Sequence, residues 1–80
     1  MTPSSLTEGL GWYGVVTILI AYAAINFGWI TAENPVYLLL NLTGSIGIGI
    51  DAYAQKNWQP VVLNAVWMAI AIIGIVRAIA

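Results

Sequence analysis

Two asparagines, Asn41 and Asn64, sit inside apolar runs, each about one and a half turns into the helix that its run predicts. A carboxamide offers two donors and two acceptor lone pairs. Two of them facing one another either bond together or present themselves to a polar solute. Trp67 lies one turn from Asn64 on the same helical face, and Tyr37 one turn before Asn41. With Tyr22 and Asn26 of the first apolar run, these residues are the candidate substrate-binding set: aromatic faces to pack a small ligand and amides to orient it. The structural alternative is interhelical bonding alone, worth about 0.6 kcal/mol per bond in membranes. Asn26, near the end of its helix, equally suits satisfying local carbonyls.

Asp51 is the one carboxylate inside an apolar segment. An ionisable group in hydrocarbon costs several kcal/mol and marks a functional site by default. Lys56 lies five residues on, so Asp51 reads either as an interfacial acid with a nearby countercharge or as a proton- or cation-binding group facing the bundle. Catalysis finds little footing. There is no histidine and no cysteine, and Glu33 is expected on the opposite side of the membrane. Hydrolysis needs a paired acid and base or an activated nucleophile, so no catalytic residues are assigned and the chain reads as a non-enzyme. The same inventory predicts no metal site, disulfide or cofactor. A net charge of −1 with no basic stretch leaves no footprint for nucleic acid.

The composition says which solvent these groups meet. In 80 residues, 61% are hydrophobic and 6% charged, whereas a soluble domain this small covers itself with roughly a quarter charged residues. The charges at Glu8, Glu33, Asp51, Lys56 and Arg77 bound charge-free runs of 24, 17 and 20 residues. A helix needs about 20 residues to cross a bilayer core of roughly 30 Å, with a range of about 17 to 25. Three spans follow. The triplet Ala21-Tyr22-Ala23 is like a signal-peptidase site, but no basic segment precedes it and the apolar run continues through Ile25, Phe27 and Trp29, so the first run is read as a retained span. Lone strands cannot satisfy their edges in lipid, which excludes a β alternative.

The expected fold is therefore all-α: an integral membrane bundle of three transmembrane helices. Residues 1–9 read as a polar tail, with Ser5 and Glu8 spaced as a helix-start capping box, and residues 10–80 as one domain with helices over about 10–30, 35–54 and 60–79. Trp12, Trp29 and Trp58 suit the interfacial belts. Asn34 is a candidate cap before Pro35, and Pro60 opens the third helix on the same pattern. Short loops make sequential helices antiparallel neighbours. Small and polar residues recur at helical spacing along each segment: Gly14, Thr17, Ala21, Ala24 and Gly28; Tyr37, Asn41, Gly44, Ile48, Asp51 and Gln55; Asn64, Trp67, Ala71, Gly74 and Ala78. In lipid, helices associate through such stripes. Gly44, Gly47 and Gly49 read first as packing residues and second as a hinge.

The segments Leu19 to Tyr22 (LIAY) and Tyr37 to Gly44 (YLLLNLTG), with Trp67 followed by an Ile/Gly-rich tail, resemble a family of small, uncharacterised three-span bacterial membrane proteins that carry transporter or permease labels. More distantly, three spans with Asn64-Ala65-Val66 in the last are similar to the SWEET and PQ-loop half-transporters. That resemblance implies three-helix protomers dimerising around a sugar path, with Asn64 contacting solute. Only Asn64 carries over; the corresponding first-helix region reads AYAAINFGW and has no Pro-Gln pair.

Three helices are too few to enclose a solute path, so a transporter of this size is expected to be a homodimer. The leading expectation is a multi-pass protein of the bacterial cytoplasmic membrane that transports a small neutral or weakly charged solute, with the lipid bilayer and a second copy as its partners. The alternative is a non-catalytic accessory subunit of a larger membrane complex. Lys56 and Arg77 fall on opposite sides, so the positive-inside count is tied and orientation stays open. Cysteines introduced at Ser4 and Glu33 are expected to react with an impermeant thiol reagent from opposite faces of intact cells. Labelling of both from one face would overturn the three-span reading.

Overall fold

A computed structural model describes residues 3–80, with side chains from Ser5 onward. Three helices make up the fold: α1 over Pro3–Asn26, α2 over Pro35–Ala54 and α3 over Trp58–Ile79. Each is long and apolar enough to cross a membrane. The molecule extends 38 Å along its long axis, enough to traverse a hydrocarbon layer of roughly 30 Å and reach both interfaces.

α2 forms over the residues its sequence marks. Asn34 is its N-cap, with the side-chain oxygen accepting from the Val36 amide at 2.8 Å, and Pro35 occupies the first helical position. Proline suits that place because its missing N–H would have had no helical partner.

The other boundaries differ from those expected. α1 starts at Pro3 rather than near residue 10. Met1 and Thr2 of the expected tail lie outside the described residues, while Ser5 and Glu8 lie within the helix, so Ser5 is not its cap. The same proline preference explains the early start, and nothing between Pro3 and Gly9 interrupts a helix. α1 also ends at Asn26, short of Ile30. Gly28 adopts φ 76°, and the amides of Gly28 and Trp29 donate to the carbonyls of Ile25 and Ala24 at 3.0 and 2.8 Å. This is a Schellman cap, which glycine enters without a Cβ penalty. Gly28 therefore terminates α1 instead of extending its packing stripe. α3 begins at Trp58, with Pro60 inside its first turn and Asn57 as N-cap. Lys56 takes the left-handed place after α2, at φ 57°, and Lys56 and Asn57 close that cap onto Tyr53 and Ala52.

The helices form an open arrangement with α2 between the other two. α2 packs on α1 and on α3, while among the described residues no Cα of α1 comes within 8 Å of α3. Gly11 faces Asp51, Gly14 faces Ile48, and Gly44 faces Ile18; partner numbers fall as α1 numbers rise, so the pair is antiparallel. α3 returns antiparallel on the other side of α2, with Gly49 against Asn64 and Leu38 against Gly74. At the α1–α2 seam Gly14, Thr17, Ala21 and Ala24 are buried. A Cβ at Gly14 would collide with the Gly44 carbonyl oxygen, and one at Gly47 with that of Leu10. Main chain touches main chain there, an approach that glycine alone permits. Outward positions carry Leu19, Ile20, Leu39, Leu63, Val66, Ile70 and Ile73, all more than half exposed, a surface that lipid solvates as well as protein does.

Gly14→Leu or Gly47→Leu is expected to lower stability by about 3 kcal/mol or more, because the obstacle is backbone and cannot turn aside. Gly9→Ala, where a Cβ meets nothing within 4 Å, is expected to raise it by about 0.5 kcal/mol through helix propensity. Denaturant unfolding in detergent micelles measures both; a Gly14→Leu variant as stable as the parent would contradict the close seam.

Candidate functional site

The α2–α3 seam carries the amides. Asn41 is 5% exposed, one turn after Tyr37 on the α2 face that meets α3. Its Nδ2 donates to the Tyr37 carbonyl at 3.1 Å, and its Oδ1 accepts from the indole Nε1 of Trp67 at 3.1 Å. The second bond joins two helices. It leaves the Asn41 side chain with one N–H and one lone pair beyond these two bonds. Tyr37, Leu38, Asn41, Trp67, Ile70 and Ala71 together line a groove of about 220 Å³. No charged residue lines it.

The remaining expected site residues fall elsewhere. Asn64 is equally buried, but it lies opposite Gly49, eight residues along α2 from Asn41, or about 12 Å at helical rise. Its Nδ2 donates to the Pro60 carbonyl at 2.8 Å within its own helix. The two asparagines are therefore not a facing pair. Tyr22 is two-thirds exposed on α1, and Asn26 donates back to its carbonyl at 2.9 Å. Among the described residues no Cα of α1 lies within 8 Å of α3, and neither Tyr22 nor Asn26 is among the residues that line the Trp67 groove. Spacing along one helix relates Tyr37 to Asn41, but it says nothing about which face of α1 meets which neighbour.

Asp51 lies on the α1 side of α2. A Cβ at Gly11 would stand 2.6 Å from its Oδ2, so the carboxylate rests on the glycine surface of α1. Its Oδ1 accepts from Gln55 Nε2 at 2.9 Å. Its hydrogen-bond partner is thus Gln55, one turn on in the same helix. The early start of α1 also brings Glu8 level with Asp51, and both line a shallow groove with Gly11, Trp12, Val15 and Ile48. Sequence reasoning missed this meeting because it placed Glu8 at the end of a tail.

Leu38, Ile70 and Ala71 were likewise missed as groove residues. They stand three or four positions from Asn41 or Trp67, and that spacing was the available signal. Ser45, one turn beyond Asn41, is fully buried, and its hydroxyl has no hydrogen-bond partner among the described residues. On the opposite seam the Thr43 hydroxyl donates to the Leu39 carbonyl at 2.9 Å. The proton of the 2.9 Å Tyr13–Thr43 bond therefore comes from Tyr13, which ties α1 to α2.

These features define a small all-α protein of three helices, each apolar enough to span a membrane, with an amide and an indole joined across one seam. The chain belongs to an uncharacterised family, whose model matches residues 7–80. No curated protein and no solved structure matches it. The SWEET and PQ-loop resemblance accordingly rests on Asn64 and its neighbours alone.

Trp67→Phe removes the one donor that reaches Asn41 Oδ1 from another helix. It is expected to cost about 0.6 to 1.7 kcal/mol in micellar unfolding. Asn64→Ala, whose amide bonds within its own helix, is expected to cost less than Trp67→Phe. The reverse order would show that Asn41 and Trp67 do not join the helices.

Proposed function

We propose that the chain is a multi-pass protein of the bacterial cytoplasmic membrane that works as a homodimer and transports a small neutral or weakly charged solute. The observation that carries this reading is the Asn41 amide, held at the wall of the Tyr37–Trp67 groove with hydrogen-bonding capacity to spare. Aromatic side chains pack a ligand while a fixed amide orients it. At about 220 Å³ the groove is smaller than the roughly 300–1,000 Å³ of drug-sized sites, which favours a small solute, and its uncharged lining favours a neutral one. The homodimer reading is supported by the open arrangement: with no Cα of α1 within 8 Å of α3 among the described residues, one protomer does not enclose a path, and a second copy related by a two-fold axis would supply the other wall.

A second reading, an accessory subunit of a larger membrane complex, is favoured by a different observation. The amides of Asn41 and Asn64 both donate to carbonyls of their own helices, which is what a purely structural polar residue does in lipid. Purification in mild detergent separates the two, since a stable homodimer supports transport and co-purification of a large partner supports the subunit. Liposomes containing the purified protein are expected to take up at least one member of a panel of sugars, amino alcohols and small cations. Asn41→Ala is expected to reduce that uptake roughly threefold to tenfold, the value of one hydrogen bond. Absence of uptake across the panel would refute transport of these classes, and full uptake by Asn41→Ala would refute the site.

A further inference from the structure

The two seams of α2 are built differently, and the difference has a mechanical consequence. On the α1 side, backbone meets backbone at Gly14 with Gly44 and at Gly47 with Leu10, and Tyr13 bonds across to Thr43. Main-chain atoms have no rotamer with which to give way, so this seam cannot slide without separating. On the α3 side the close approaches involve side chains. A Cβ at Gly74 would meet the flexible end of Leu38 at 2.9 Å, and one at Gly49 has ordinary contact with the Asn64 Cβ at 3.7 Å. Cavities of about 220 and 280 Å³ flank that seam, one lined from Tyr37 to Ala71 and the other by residues including Ile46, Gly49, Tyr53 and Met68, whereas the α1–α2 seam has one groove of about 210 Å³, at its Glu8–Asp51 end. Among the described residues no Cα of α1 lies within 8 Å of α3, so the close backbone packing of α3 is on α2.

The connections differ in the same sense. Eight residues join α1 to α2, anchored by amide bonds from Phe27 to Ile30 back onto α1 and by the Asn34 cap. Three residues, Gln55 to Asn57, join α2 to α3. Lys56 is left-handed at φ 57°, and Asn57 serves both the end of α2 and the start of α3 without a side-chain cap bond. The change in chain direction is thus concentrated in one short link, the arrangement that hinges use.

We propose that α1 and α2 move as one rigid unit and that α3 is a separate arm, swinging about Gln55–Asn57 and clasped by the Trp67–Asn41 hydrogen bond. The swing widens or narrows the groove between Tyr37 and Trp67 without disturbing the glycine seam. The movement belongs to the fold and does not depend on the transport reading.

The chain contains no cysteine, so spin labels can be placed at will on exposed positions. One pair, Leu19→Cys with Leu39→Cys, reports α1 against α2; a second, Leu39→Cys with Ile73→Cys, reports α2 against α3. Labelled protein is diluted with unlabelled protein in phospholipid bilayers, so that distances between copies drop out of the double electron–electron resonance signal. The α2–α3 distribution is expected to be roughly twice as wide as that of α1–α2. Trp67→Phe is expected to shift only the α2–α3 pair to longer distances. Equal widths in the parent protein, or a Trp67→Phe change that affects both pairs alike, would overturn the proposal. The comparison in the parent decides the matter even where the variant does not assemble.

Discussion

Backbone contact between α1 and α2 at Gly14, Gly44 and Gly47 is the constraint around which the rest of the molecule is arranged. In lipid, apolar side chains gain nothing from leaving the solvent for one another, so association has to come from close van der Waals packing and polar bonds. Glycines supply the first by removing every atom that would hold the main chains apart. Once α1 is seated there, Gly11 forms the surface on which the Asp51 carboxylate rests, and Tyr13 comes within reach of Thr43.

Seating α1 on one flank of α2 leaves the other flank for α3, and the contact there is of another kind. A Trp–Asn bond, a leucine against a glycine and an asparagine methylene against another glycine hold the helices together. Larger side chains leave gaps between them, and the groove from Tyr37 to Ala71 is one of these gaps. Its polar wall is a by-product of the way α3 is anchored. The amide and indole that fasten the helix also line the groove, so one bond shapes both the seam and the wall of the proposed solute site.

Much of the architecture was legible because its signals are local. Asn34-Pro35 marked the start of α2 to the residue, and the charge-free runs marked three helices long and apolar enough to cross a membrane. Gly14, Thr17, Ala21 and Ala24 were identified as a buried stripe from spacing alone. The end of α1 was local too: Gly28 stood on that stripe by periodicity, yet its backbone is left-handed and closes the helix. Period and cap compete for the same glycine, and here the cap prevailed. Tyr22 and Asn26 failed for another reason. Their grouping with Trp67 needed α1 beside α3, whereas α2 packs on both and, among the described residues, no Cα of α1 lies within 8 Å of α3.

By itself, then, the amino-acid sequence determined that three helices form, each apolar enough to span a membrane, and the stripe from Gly14 to Ala24 along which α1 meets α2. Both follow from composition and a 3.6-residue period, and neither needs knowledge of a neighbour. Only the tertiary structure decided which inward faces meet. It set Asn41 against Trp67 instead of Asn64, put Glu8 beside Asp51, and held α1 and α3 apart. Partner choice depends on how closely two backbones can approach along a shared register. That is a property of pairs of helices, and no single helix encodes it.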